Sequence, residues 1–232
     1  MPYTLLLLLK GPMQSWGDDS RYKQRTTGQV PTKSGVIGML AAALGRRRVE
    51  PVEDLAGLRF GVRVDQPGTL MKDFQTALPA GTENPQLVAR YYLSDAAFVV
   101  GFESENKEFL ENLQRALRRP RYSLFLGRRS CPAPINLVLG IRETGLVEAL
   151  REEEWHASTL HRKARAERVV LPIHRDVLPG ERGVAHRDVP VSFAQEHRQY
   201  AWREVIQDDS GAPMENPDAK STDPFFEAVI RA

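Results

Sequence analysis

Five consecutive leucines, Leu5–Leu9, fill the centre of the segment YTLLLLLK, and Gly11-Pro12 shuts the run off. A strand with no polar alternation must be covered on both faces, so this segment predicts the central strand of a layered domain. The next stretch of chain is opposite in character. Residues 12–31 (PMQSWGDDSRYKQRTTGQVP) are polar and basic, without a usable period. A loop of that length inside a compact domain is usually either functional or disordered, and Met13 and Trp16 argue for an ordered one. A helix then opens near Thr32-Lys33-Ser34, where Thr32 or Ser34 can cap it, runs through Val36–Leu44 and stops at Gly45. Gly35, Gly38 and Ala41–Ala43 keep it thin enough to pack closely on a sheet. Arg46-Arg47-Arg48 sit at its C-terminal end, where the helix dipole favours cations.

The rest of the chain supplies partners for that pair of elements. Leu58–Asp65 alternates apolar and polar and predicts a half-exposed strand. Residues 66–90 are broken by Pro67, Gly68, Pro79, Gly81 and Pro85 and predict a protruding hairpin outside the core. Tyr91–Phe102 returns to strand character. Asn106–Arg118 carries Phe109, Leu110, Leu113, Ala116 and Leu117 on one helical face and is stopped by Pro120. Tyr122–Leu126 reads as a short strand, Gly127–Pro132 as a basic loop, Ile135–Ile141 as an apolar strand and Leu146–Trp155 as a helix. The order to residue 141 is β-loop-α-β-(protrusion)-β-α-β, the split β-α-β order of a ferredoxin-like (RRM-like) fold. Beyond 142, short strands are expected at Val169–His174 and Val189–Phe193. His197–Ile206 reads as strand or helix, and the tail from Asp208 as loosely ordered. The expected architecture is therefore α+β. It has a ferredoxin-like domain over 1–141 with a hairpin thumb at 66–90, and a small, mainly β C-terminal subdomain over 142–232.

Composition excludes several classes of function. The 232 residues are enough for a packed core, and the single cysteine, Cys131, precludes an intrachain disulfide and suits a reducing cytoplasm. No stretch approaches the ~20 apolar residues of a membrane span. The leucine run lacks the basic flank and small-residue cleavage site of a secretory leader. There is no Cys-x-x-Cys, no His-Glu-x-x-His and no spacing that suggests a metal or other cofactor. Thr27–Ser34 superficially resembles a phosphate-binding P-loop, but Thr27 and Thr32 stand where its glycines belong, so a triphosphate cradle is not expected. What remains is a helix start with Lys33 beside it, suited to a single phosphate. Cys131 lies beside Arg128 and Arg129 without an identifiable base and reads as a small buried hydrophobe. Glu152–Glu154 reads as a solvated helix face.

The net charge of +2 hides a strong asymmetry. Residues 1–48 carry a net +6 and residues 115–131 another +6, so the remainder sums to −10. Two concentrated basic segments in a nearly neutral chain point to a local polyanion site. Three segments share one composition: Gln14-Ser15-Trp16-Gly17 with Arg21, Tyr22, Lys23 and Arg25; Lys33-Ser34-Gly35; and Arg119 through Tyr122 with Arg128-Arg129-Ser130. Cations pair with phosphates, glycines admit the backbone to them, and aromatics stack on unpaired bases. This chemistry is that of a single-stranded RNA binder.

GPMQSWG after the first strand, PTKSGVIGMLAAALG at the first helix, YLSDAAFVV in the middle and RPRYSLFLGRRSCP after the second helix together resemble the CasD-type subunits of type I-E CRISPR Cascade complexes, in the repeat-associated (RAMP) superfamily. The resemblance covers residues 1–140. It implies a non-catalytic cytoplasmic subunit that holds the 5′ handle of the CRISPR RNA, caps one end of the complex and serves antiviral defence. Its implied neighbours are a CasC-type backbone subunit and a CasA-type large subunit, with target DNA met only through the complex. It further implies that Gln14, Ser15, Trp16 and Gly17 line the handle, that Lys33 and Ser34 meet its phosphates, and that Arg128, Arg129 and Ser130 form a second wall. Arg90 lies at the returning base of the thumb, and Arg21, Lys23, Arg25, Arg121 and Tyr122 complete the expected RNA-binding set. Relatives in type I-C systems cut precursor CRISPR RNA without metal. That alternative requires a base and a charge stabiliser, for which Tyr22 with Lys23 or Lys33 is the available set.

Overall fold

The computed structural model describes residues 1–17, 24–78, 81 and 84–219. In chain order the elements begin with β1 (Tyr3–Lys10), β2 (Met13–Gln14), β3 (Gln24–Arg25), α1 (Lys33–Leu44) and α2 (Glu53–Ala56). They continue with β4 (Arg59–Gln66), β5 (Thr69–Ala77), β6 (Gln86–Ser94), β7 (Ala97–Ser104) and α3 (Lys107–Arg118). The last third contributes β8 (Val138–Arg142), α4 (Leu146–Glu152), α5 (Thr159–Lys163), β9 (Arg168–Val169), β10 (Ile173–Asp176), β11 (Val184–Ser192), β12 (Gln199–Asp208) and β13 (Met214–Glu215).

The leucine run does what its composition requires. β1 lies inside a seven-stranded sheet of order β11-β12-β10-β4-β7-β1-β8, antiparallel to β7 on one side and β8 on the other. Alternation then sends Leu5, Leu7 and Leu9 into the apolar layer they share with α1 and α3. Leu6 and Leu8 go to the other face, with Leu146, Ala149 and Leu150 of α4. All five are at most 2% exposed, a gross gain of about 10 kcal/mol at ~2 kcal/mol per buried leucine. α4 comes close enough that a Cβ on Gly101 of β7 would lie 2.6 Å from Leu146.

Both long helices start and stop where the sequence says. The Thr32 hydroxyl accepts the Gly35 N–H at 3.2 Å, and Gly45 ends α1 in the left-handed conformation at φ 81°. Asn106 caps α3 through the Phe109 N–H, and Leu110, Leu113 and Leu117 form its buried stripe.

Four sequence expectations need correction. Residues 122–126 form no strand. The Arg121 and Tyr122 N–H groups instead donate to the carbonyls of Ala43 and Ala42 at the end of α1. β4 is not half-exposed, because its polar residues Arg63 and Asp65 are buried as an ion pair at 2.7 Å. The Arg63 guanidinium also collects the carbonyls of Leu150, Glu153 and Glu154 at the C-terminal end of α4. Glu153 is therefore not a solvated residue: it is buried and paired with Arg142 and His156. Lastly, the C-terminal third extends the main sheet. β10 pairs with β4, and β12 and β11 continue outward from it. Asp208 onward is anchored as far as residue 219: β13 pairs with β9, and the Asn216 amide donates to the carbonyls of Arg162, Arg165 and Ala166. The end of the tail, 220–232, lies outside the described residues.

The hairpin expected at 66–90 is formed by β5 and β6, paired over nine residues from Thr69↔Ser94 to Ala77↔Gln86. β6 also pairs with β2 and β3, so the hairpin belongs to a second, smaller sheet. Leu70, Phe74, Leu78 and Leu87 are each more than half exposed on it. The cation of Lys72 lies over the Phe74 ring at 4.7 Å.

A buried cluster of four charges joins α1 to the C-terminal strands. Asp188 on β11 accepts the Lys33 backbone N–H at 2.8 Å and two bonds from Arg203 of β12 at 2.6 and 2.8 Å. Asp176 on β10 accepts from Lys33 Nζ at 3.1 Å, from Arg203 at 2.6 Å and from the Phe60 N–H at 2.9 Å. Two cations and two anions balance, and each carboxylate is multiply bonded, which is what charge needs to survive burial. Burial pushes the Lys33 ammonium down and Asp176 partly restores it. Burial alone would raise the Asp188 carboxyl, but Arg203 and the Lys33 N–H hold it below its ordinary value.

Asp188→Ala leaves Arg203 short of an anion and the first turn of α1 short of an acceptor. It should cost roughly 3–5 kcal/mol at neutral pH, read from the urea midpoint. A depressed carboxylate stabilises above its unfolded pKa and loses that contribution as pH falls through the folded one. The gap between wild type and variant should therefore narrow only in the acid range below the ordinary aspartate pKa. A gap that stayed constant from pH 7 to acid unfolding would show that the charge is not what matters. Gly127 is the second sensitive point, with φ 88° and an ideal Cβ only 1.7 Å from the Ser15 carbonyl oxygen. Gly127→Ala should destabilise by more than the ~1–2 kcal/mol of left-handed strain alone, and a change below that in the same assay would contradict the close approach.

Candidate RNA-binding cleft

The loop after β1 is a knot of hydrogen bonds. The Gln14 amide is fully buried and donates to the carbonyls of Leu9 and Ala96 at 2.9 and 2.8 Å, while its oxygen accepts from the Trp16 indole at 3.0 Å. Trp16 is 1% exposed and its backbone exchanges bonds with Thr27 and Gly28. Ser15 donates its N–H to Leu126 and its hydroxyl to Tyr91. Gln14 and Trp16 are thus structural in their side chains. They and the buried, doubly bonded Ser15 hold the loop in shape, and only Gly17 of the four is exposed.

Gly127 docks on Ser15 and brings the second basic segment onto the first. The tight approach places Arg128 over the Tyr92 ring at 4.7 Å, with Nη2 at 3.5 Å from the Thr26 carbonyl. Burial would raise the Tyr92 phenol, but bonds from Ser130, Arg128 and Arg90 outweigh it and hold its pKa below the usual tyrosine value. Arg128 and Tyr92 thus form a packed pair at the base of the hairpin. Arg25 lies on β3 in register with Arg90, whereas Arg21, Tyr22 and Lys23 fall outside the described residues. Cys131 is buried, and burial raises its thiol despite the nearby Arg128.

These docked loops and α1 enclose a cleft of about 580 Å³. Ser34, Gly35, Gly38, Ala41 and Ala42 present one small-residue flank of α1 to it. Ser15, Trp16 and Gly17 line it from the first loop, and Tyr122, Gly127 and Arg129 from the second. Among the other lining residues, the sequence did not single out as contacts Arg46–Arg48, Phe193 and Arg198 of the turn between β11 and β12, or Tyr200 at the start of β12. Arg46 is engaged by Asp54 and the Pro51 carbonyl. Arg47, Arg48, Arg129 and Arg198 are exposed and form no ion pair among the described residues. Arg121 is exposed beside this region, its stem packed against Gly45.

The expectation that Lys33 faces a ligand phosphate needs correcting. Its ammonium is 7% exposed and bound to Asp176, and the α1 start already holds an anion, the Asp188 carboxylate. Among the described residues, exposed arginines without an ion pair lie instead at the other end of α1 (Arg47 and Arg48), at Arg129 of the second loop and at Arg198. Among the described residues no cluster could hold a metal, and no helix is long and apolar enough to cross a membrane.

The family described as CRISPR-associated protein (Cas_Cas5) matches residues 4–206. The CRISPR system Cascade subunit CasD of Escherichia coli (strain K12) is 36% identical over 157 residues, covering 59% of this chain and 70% of that protein. Among solved structures, a chain of a CRISPR RNA-guided surveillance complex superposes with a TM-score of 0.74 at 28% identity, over 97% of this chain and 96% of that one. A second, described as a crystal structure of a Cas protein, gives 0.68 at 37% identity, over 95% and 100%. A family match spanning most of the sequence, together with two whole-chain structural likenesses, establishes that this chain belongs to the CRISPR-associated Cas5 family.

Proposed function

We propose that this chain is a non-catalytic subunit of a CRISPR RNA-guided surveillance complex and grips the 5′ handle of the CRISPR RNA in the cleft beside α1. The observation that carries the reading is the convergence of Arg47, Arg48 and Arg129, without acidic partners among the described residues, on a cleft with an aromatic rim and a small-residue floor. Single-stranded RNA is held by that combination of cations for phosphates and flat surfaces for bases. In this reading residues 1–141 are a ferredoxin-like unit, supported by the antiparallel order β4-β7-β1-β8 with α1 and α3 in one apolar layer. The β5–β6 hairpin is its thumb. The apolar side chains of the thumb contact a CasC-type backbone neighbour, and the cap is completed by a CasA-type large subunit. Target DNA is met only through the assembled complex.

The salt dependence of RNA binding tests the assignment. Arg129→Ala and Arg47→Ala should each lower the slope of log K against log salt by about 0.7, the value for one phosphate on a single strand. Lys33→Met should lower thermal stability and leave that slope alone. Unchanged slopes in both arginine variants would remove the cleft from consideration. The endoribonuclease alternative is tested separately by incubating the pure protein with repeat RNA in EDTA. The expected result is intact RNA, and cleavage at a unique position would overturn the non-catalytic reading.

A further inference from the structure

The turn between β11 and β12 belongs to neither basic loop, yet it reaches the same cleft. Phe193, Arg198 and Tyr200 line it together with Ser34, Gly38, Tyr122 and Arg129. Phe193 is seated on α1: a Cβ on Gly38 would lie 3.6 Å from its Cζ, an ordinary contact. The strands that carry the turn are fixed to the start of α1, because Asp188 of β11 and Arg203 of β12 both belong to the buried charge cluster. The turn is therefore held in place over the helix before any ligand arrives.

Its side chains have the chemistry of the two loops. Arg198 is exposed and forms no ion pair among the described residues, although Glu196 lies in the same turn. Tyr200 is half-buried and lines the cleft, and its phenol makes no hydrogen bond among the described residues, which leaves its ring available for stacking. A fixed aromatic face next to an uncommitted cation is a stacking platform with a phosphate anchor. An acidic protein surface would suit Arg198 but gives Tyr200 and the small-residue floor nothing to do.

We infer that the β11–β12 turn is a third wall of the RNA cleft, in which Tyr200 stacks on one unpaired nucleobase and Arg198 pairs with an adjacent phosphate. This rests on the RNA-binding reading of the cleft and adds the C-terminal strands to it. Preorganisation by the charge cluster keeps the ordering cost of the wall out of the binding step.

The experiment uses the full chain bound to CRISPR RNA carrying 2-aminopurine at successive handle positions. One position should be quenched in the wild type, recover its fluorescence in Tyr200→Ala and stay quenched in Tyr200→Phe. Loss of the stack should weaken binding about tenfold. Arg198→Ala should lower the salt slope by about 0.7, with Arg129→Ala as the reference. Thermal melts check that the variants fold, and Arg198→Ala, altering an exposed side chain, stands on its own if Tyr200→Ala does not. If Arg129→Ala responds while both turn variants bind as wild type, the third wall is wrong and the cleft reading stands. If Arg198→Ala weakens only association with partner subunits, the turn is a protein contact and the inference falls. If none of the three responds, the cleft reading fails and takes the wall with it.

Discussion

The arrangement depends on a carboxylate at a helix start. Asp188 reaches α1 from a strand more than 150 residues later in the chain and bonds the Lys33 N–H. Arg203 and Asp176 then neutralise what has been buried. Without this cluster the outer strands of the sheet would have little reason to sit over α1 at all, since α1 is narrow and its small residues bury little apolar area. With it, a helix that packs on the sheet through Val36, Ile37 and Leu40 keeps its other flank open under a fixed roof. Removing one member exposes the usual asymmetry of buried ions, in which the partners left behind cost more than the pair contributes.

A second constraint works at the scale of one atom. Gly127 allows the Ser15 carbonyl into the space that any other residue would fill with Cβ. The two basic segments, separated by more than a hundred residues, are thereby held as the adjoining walls of one cleft. Positive charge that would repel across open solvent is kept together by backbone hydrogen bonds and by the stacking of Arg128 on Tyr92. The scaffold pays that electrostatic cost in advance, and a polyanion recovers it on binding.

Much of the fold was legible because its signals are local. The leucine run, the capped small-residue helix, the apolar stripe of α3 and the Pro/Gly-punctuated hairpin each come from spacing and turn chemistry. The site was half legible. Arg129, Tyr122 and Gly17, drawn from segments that composition singled out, line the cleft. Gln14 and Trp16 were misjudged because a buried amide–indole pair and a ligand contact read the same in sequence. Lys33 was misjudged because its partners, Asp176 and Asp188, lie far along the chain, and nothing local distinguishes a buried ion pair from a phosphate ligand. β4 misled for the same reason: Arg63 and Asp65 alternate like a solvated strand yet are sealed under the end of α4. Arg198 and Tyr200 carry the same mixture of cation and aromatic as the other segments. They went unnoticed because the C-terminal third offered no periodicity to place them on a shared surface.

The self-filled helix start has a consequence for selectivity among anions. An open helix N-terminus with a lysine beside it would be a compact trap for inorganic phosphate and free nucleotides, which are abundant wherever RNA is made. Here that trap is closed by the protein's own Asp188, and the uncommitted charge is dispersed over long arginine side chains from separate segments. A small anion can engage only one or two of them at a time and leaves quickly. A tethered string of phosphates engages them in succession, each contact raising the effective concentration of the next. The cleft thus discriminates by avidity, favouring the polymer over its building blocks.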